Sequence, residues 1–170
     1  MDAPIFSENS ELFLALTDPR TGDRNFQEMM HDFTKTYANR VATTEDFKAV
    51  VEKHMLPGMD LDGNRRMDWF FNEYVYGTAL PAYSFDSSFD TQNGTTVFKF
   101  KLSQSNVTPN FKMIVPIYLE LSDGRIVRLG GARMVGNTSV EQSVPLAQVK
   151  QAPKRAMVNY YYDVLSTEGK

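Results

Sequence analysis

Apolar positions recur every three or four residues in the first half of the chain and every second residue in much of the second half. Phe26, Met29, Met30, Phe33 and Tyr37 share one side of a 3.6-residue period, which predicts an amphipathic helix over residues 24–39. A short apolar stretch from Glu11 to Leu16 precedes it. Asp18-Pro19 stops that stretch, and Thr21-Gly22-Asp23 reads as a turn. Phe47, Val50, Val51 and Met55 line a second helix. Thr43 and Thr44 are its N-cap candidates, and Thr43-x-x-Asp46 approximates a capping box with Asp in place of Glu. Pro57-Gly58 ends it. Asp68 is predicted to cap a third helix carrying Trp69, Phe70, Tyr74 and Val75. Gly77 supplies its stop, and Pro81 bars resumption.

The period then falls to two. Phe98, Phe100 and Leu102 alternate with Lys99 and Lys101, a half-buried strand that follows the hairpin signal Asn93-Gly94. Residues 111–121 form a long apolar strand, with Pro116 placing it at an edge or marking a bulge. Asp123-Gly124 turns the chain into a strand over Arg125–Arg133, which Gly130-Gly131 kinks or bulges. Val140–Val144 and Ala156–Val164 read as further strands. Six or seven strands with frequent turns predict an antiparallel immunoglobulin-like β-sandwich. The expected fold is therefore α+β, with a small helical subdomain at 1–81 and a C-terminal β-sandwich at 82–170.

Charge agrees with that division. Residues 1–81 carry 8 basic and 14 acidic side chains, and residues 82–170 carry 10 and 7. The whole chain of 170 residues is at −3, which argues against nucleic acid and anionic membrane surfaces as main partners. Cysteine is absent, so disulfides, thiolate metal sites and cysteine catalysis are excluded. No apolar run is long enough to span a membrane, and no signal peptide opens the chain.

The search for chemistry assigns no catalytic, cofactor-binding or metal-ligating residue. H-E-x-x-H, G-x-S-x-G, the phosphate-binding G-x-x-x-x-G-K-[ST] and G-x-G-x-x-G are all missing. His31 and His54 have no second zinc-type ligand nearby in sequence, so each reads as a surface or packed histidine. Asp60, Asp62 and Asn64 place oxygens at alternate positions as a calcium loop does, with Asp68 as a further donor. The glycine falls at the fourth position instead of the sixth, and Phe71 stands at the twelfth. A polar turn before Asp68 is the preferred reading. Trp69-Phe70-Phe71 with Tyr74 and Tyr76 reads as packing. In a strand, Tyr160 and Tyr162 share one face and Tyr161 takes the other, so one face is an interface candidate. Asn93-Gly-Thr95, Asn106-Val-Thr108 and Asn137-Thr-Ser139 are glycosylation triplets that mark surface turns.

One ordered set of residues goes further. Phe26…Met29-Met30-His31-Asp32-Phe33…Tyr37, then Thr43-Thr44-Glu45-Asp46-Phe47, then Trp69-Phe70-Phe71-Asn72-Glu73-Tyr74-Val75-Tyr76-Gly77-Thr78-Ala79-Leu80-Pro81 resembles the membrane-alanyl-aminopeptidase family of zinc metallopeptidases. The resemblance is to the segment downstream of the active site in bacterial members, where such helices lead into a C-terminal β-sandwich. That family's zinc helix, glutamate ligand, Gly-x-Met-Glu-Asn motif and transition-state tyrosine lie upstream of this segment and have no counterpart here. The resemblance implies a non-catalytic accessory piece of a zinc aminopeptidase. The zinc belongs to the parent, and so does hydrolysis of N-terminal residues from peptides. The partner is the catalytic domain of the same polypeptide. It also implies an extracytoplasmic setting, and that Met1 is either a natural start or the edge of an excised piece. The alternative is a free-standing module binding protein or glycan through an exposed tyrosine of Tyr160–Tyr162 and the Lys99/Lys101 face.

Overall fold

The computed structural model describes residues 22–167 except Gln148 and Lys150. The Glu11–Leu16 stretch and its Asp18-Pro19 stop lie outside them. The chain divides between Gly77 and Thr78 into two compact units.

In the helical unit, α1 spans Gly22–Thr36. The turn expected at Thr21–Asp23 is therefore helix from Gly22 onward. Gly and Asp are at home both in turns and at helix starts, so their identity did not separate the two. α2 spans Thr44–Lys53 and begins with a complete capping box. The Thr43 Oγ accepts from the Asp46 N–H at 3.2 Å, and the Asp46 carboxylate accepts from the Thr43 N–H at 2.8 Å. The Thr43 hydroxyl, which donates to the same carboxylate at 2.7 Å, and then the Thr43 N–H hold the Asp46 carboxyl below the usual carboxylate range. Phe33 of α1 meets Phe47 of α2 edge-on at 5.1 Å.

A 3₁₀ turn at Pro57–Met59 leads through a loop into α3, Asp68–Phe70, which widens into a π turn over Phe71–Val75. Here the expected cap fails. Met67 occupies the capping position, Asp68 is already helical, and its carboxylate is taken by Lys48 and Arg66. Two cations outcompete the backbone N–H groups for those oxygens. Gly77 ends the segment because its neighbours leave no room. A Cβ there would lie 2.6 Å from the Asn72 carbonyl oxygen and 2.9 Å from that of Glu73. The buried set is Met29, Val50, Met55, Leu61, Met67, Trp69 and Phe71.

The second unit holds two three-stranded antiparallel sheets. In the first, β2 (Thr95–Ser105) lies between β1 (Ala82–Gln92) and β5 (Thr138–Pro145). In the second, β3 (Lys112–Glu120) lies between β4 (Ile126–Val135) and β6 (Arg155–Val158). The predicted alternation holds in β2: Phe98, Phe100, Leu102 and Gln104 are buried while Lys99 and Lys101 are exposed. Buried Gln104 is satisfied, donating to the Gly136 carbonyl at 2.8 Å and accepting from the Tyr83 hydroxyl at 3.2 Å.

β3 is buried from Met113 to Leu119 and is the central strand of its sheet, not an edge. Pro116 is tolerated because β6 ends there. Pairing with β6 starts at Ile117, and the Pro116 carbonyl accepts from the Asn159 N–H, already past the strand. Its own missing donor faces the same side, where no ladder continues. The bulge sits opposite, in β4: Leu129 is the extra residue beside Gly130, and the register shifts between Ile117 and Tyr118. The strand expected over Ala156–Val164 stops at Val158. Asn159 and Tyr162 adopt left-handed φ of 51° and 59°, which breaks the ladder.

Candidate functional site

Within the helical unit, the sequence-flagged histidines separate. His31 is exposed on α1. His54 is half-buried, and its Nε2 lies 2.9 Å from Asp32 Oδ2. A carboxylate only accepts, so Nε2 carries the proton. The Lys53 ammonium bonds the same oxygen at 2.7 Å. Lys53 first, then His54, hold the Asp32 carboxyl down to about 2, against the opposing effect of burial. This is the geometry of an oriented imidazole. Beside it lies an apolar cleft lined by Phe26, Met29, Val51, Leu56 and Met59. The cleft measures about 40 Å³, room for a water and not for a peptide side chain. The trio fastens the end of α2 to α1.

A second polar cluster joins α2 to α3. Lys48 is 7% exposed, pairs with Asp68 and sits 5.8 Å above the Phe71 ring. Arg66 grips the same carboxylate through Nε at 2.6 Å and Nη2 at 3.2 Å. Arg66 first, then Lys48, hold the Asp68 carboxyl far below its ordinary range. Glu52 accepts from the Met67 N–H at 2.9 Å, and Tyr76 donates to Glu45.

The Asp60 loop spends its oxygens on its own backbone. Asp60 Oδ1 accepts from the Asn64 and Arg65 N–H groups, each at 3.0 Å, and Asn64 Oδ1 accepts from the Arg66 N–H at 2.9 Å. Gly63 and Arg65 take left-handed φ of 66° and 55°. That is the polar turn, with Asp60 serving as its internal acceptor. Among the described residues no three His, Cys, Asp or Glu side chains converge as metal ligands. Trp69 is buried and donates from its ring nitrogen to the Met59 carbonyl at 3.1 Å, which is a packing role.

Within the β unit, Tyr160, Tyr161 and Tyr162 lie in a turn and not a strand, so the expected two-face alternation does not occur. Their exposures of 40%, 60% and 85% show that all three reach solvent. Tyr160 and Tyr161 meet edge-on at 4.8 Å, and Tyr161 stands against the buried ring of Tyr118 at 5.3 Å. The Tyr118 hydroxyl donates to Asp163 at 2.6 Å, and the Arg128 guanidinium lies 5.9 Å from its ring centre. Burial, then the bond to Asp163, push the Tyr118 hydroxyl well above the usual tyrosine range. A phenol so held is a poor proton donor at neutral pH and acts as an anchor for the Asn159–Val164 turn.

The Lys99/Lys101 face forms a shallow open concavity of about 640 Å³ across β1, β2 and β5. Its cations are already matched. Lys99 pairs with Asp90 at 2.6 Å and Lys101 with Glu141 at 2.9 Å. Asp86 lines the same concavity, so three carboxylates face two lysines and the face offers an anionic ligand no net positive field. The three glycosylation triplets all begin at exposed asparagines. Two of those side chains are engaged: Asn106 donates to the Leu80 carbonyl and Asn137 to the Val107 carbonyl, each at 3.0 Å.

Sequence reasoning missed the Asp32–His54, Lys48–Asp68 and Tyr118–Asp163 pairs. Their members are 20 to 45 positions apart, and no local period signals such distances. No described helix is long and apolar enough to cross a membrane. The chain matches no protein-family model and no curated protein.

Proposed function

We propose that this chain is a non-catalytic accessory portion of a zinc aminopeptidase of the membrane-alanyl-aminopeptidase type, completing a catalytic domain of the same polypeptide. The parent hydrolyses N-terminal residues from peptides with its own zinc. The observation that carries this reading is the Trp69–Pro81 run. Trp69 and Phe71 are buried, the helix widens into a π turn, and Gly77 closes it where no side chain fits. Pro81, also buried, then leads directly into β1. A sterically demanded Gly and a buried Pro give physical reasons for the Tyr-Gly-Thr-x-x-Pro order on which the resemblance rests. In the same reading the β unit is an immunoglobulin-like sandwich. The buried rows of β2 and β3, and the approach of β1 to β6 and of β4 to β5, support that arrangement of the two sheets.

The test is the reading frame upstream of the Asp2 codon, together with a peptidase assay on the purified chain. The expected results are an in-frame H-E-x-x-H with a downstream glutamate, and no chelator-sensitive hydrolysis by the chain alone. An in-frame stop upstream of Met1, or chelator-sensitive peptidase activity in the isolated chain, overturns the proposal. With such a stop, a free-standing binding module becomes the leading reading, since Tyr161 and Tyr162 are exposed.

A further inference from the structure

Three steps along the chain put a carboxyl or amide side chain directly before glycine: Asp62-Gly63, Asn93-Gly94 and Asp123-Gly124. At such a step the glycine nitrogen, unhindered by a side chain of its own, can attack the γ-carbon of the residue before it and close a five-membered imide. Aspartate presents a carboxylate, which repels a nucleophile. Asparagine presents a neutral amide, whose nitrogen can leave as ammonia. Asn93 is the one asparagine of the chain that precedes glycine.

The structure sharpens that choice. The Asp123 carboxylate is occupied, accepting from the Arg125 N–H at 3.0 Å and from its Nε at 2.7 Å. Asn106, Asn137 and Asn159 are occupied too, each donating from its amide to a main-chain carbonyl at 2.8 to 3.0 Å. Asn93 is exposed, and no hydrogen bond among the described residues engages its side chain. It stands with Gly94 at the tip of the β1–β2 hairpin, at φ of 50° and 78°. Gln92 pairs with Thr95, so the two residues between them form a type I′ turn. The ladder uses the main-chain groups of Gln92 and Thr95 and leaves the Gly94 N–H outside it. Around Gly94 nothing lies within 4 Å of where a Cβ would stand.

We propose that Asn93 is a self-modification site, at which the Gly94 nitrogen displaces the side-chain amide nitrogen in the folded protein. The Gly94 N–H gives its proton to a solvent base, and the nitrogen bonds to Asn93 Cγ. The Cγ–Nδ2 bond breaks, and Nδ2 leaves as ammonia with a proton from solvent. Water then adds to one of the two imide carbonyls, and the bond from that carbonyl to nitrogen breaks. Opening at Cγ leaves an aspartyl residue on an unchanged main chain. Opening at the main-chain carbonyl leaves an isoaspartyl residue, with the main chain routed through Cβ and Cγ. Nothing is oxidised or reduced, and water is the only co-reactant. Either product adds a negative charge three residues from Asp90. The isoaspartyl product also adds a methylene to a turn that sets the register of β1 against β2 from Gln92 to Ala82.

The experiment incubates the full chain, folded, in mildly alkaline and in mildly acidic buffer. Ion exchange reads the gain of one negative charge, and mass-spectrometric peptide mapping locates it. Methylation by an isoaspartyl methyltransferase with a labelled methyl donor counts the isoaspartyl product. Conversion is expected at Asn93 before any other asparagine, and faster in the alkaline buffer, where the nitrogen loses its proton more readily. The isoaspartyl fraction is expected to melt a few degrees lower. Asn93→Gly keeps a residue at home in a type I′ turn and removes the electrophile, so it is expected to gain neither the charge nor the label. Conversion that begins at another asparagine, that appears only once urea has unfolded the chain, or that proceeds in Asn93→Gly at the wild-type rate overturns the proposal. If Asn93→Gly does not fold, the mapped position of conversion in the unaltered chain decides.

Discussion

Gly77 is held by contact and not by conformation. Its missing side chain is what lets the π turn close, so Gly77→Ala must push the Asn72 and Glu73 carbonyls apart. We expect a loss of about 2 kcal/mol, typical of overpacking against backbone, read as a lower urea midpoint with an unchanged slope. Asp32 shows the other way a single residue acts, through its charge. Lys53 and His54 hold its carboxyl to about 2, so the unfolded chain binds its proton more readily. Its contribution is fully present above the ordinary Asp value of about 3.9 and is lost as pH falls toward 2. A thermal midpoint followed from pH 6 to pH 2 should therefore drop. Asp32→Asn should flatten part of that drop while lowering the midpoint at pH 6. An identical pH profile in the variant contradicts the assignment.

At the scale of elements, the Lys48–Asp68 pair ties α2 to α3. Lys48 is nearly buried, and without Asp68 it keeps only the exposed Glu45 carboxylate at 3.9 Å, so removing Asp68 leaves its charge poorly compensated. Asp68→Ala should cost about 2 kcal/mol, discounted from the fully buried case because the Asp68 side chain is 36% exposed. Lys48→Met, which keeps the volume and removes the charge, should cost less. Chemical denaturation of both variants checks the order. Asp68 also shows what was legible in the sequence. The capping box at Thr43 was, because both halves of it lie within four residues. The expected cap at Asp68 was not, because its carboxylate answers to Lys48, 20 positions away. The Phe98–Leu102 alternation read correctly because one face of β2 is wet. β3 is dry on both faces and carried no period to show that Pro116 sits in a central strand. The tyrosine run at 160–162 has strand composition, and two left-handed residues turn it out of the sheet. No catalytic group was read from the sequence, and the polar pairs that the structure brings together are long-range.

At the scale of the whole molecule, every strand pairing among the described residues lies within residues 82–167. Residues 78–170 expressed alone should therefore unfold in one cooperative transition, with near-ultraviolet dichroism and calorimetry agreeing on the midpoint. A broad transition would show that the β unit depends on the helical one. The strand order has a kinetic consequence as well. β1 and β2 are joined by two residues, and β3 and β4 by a short turn, so both hairpins close on the microsecond scale. β5 returns to β2 only after the β3–β4 hairpin has been threaded between them in the chain, and β6 returns to β3 only after β5. Each sheet thus waits for a strand delivered from beyond the other. During synthesis the hairpins emerge first with β2 and β3 each open along one side, and the last step, seating β6, cannot occur until Val158 has left the ribosome.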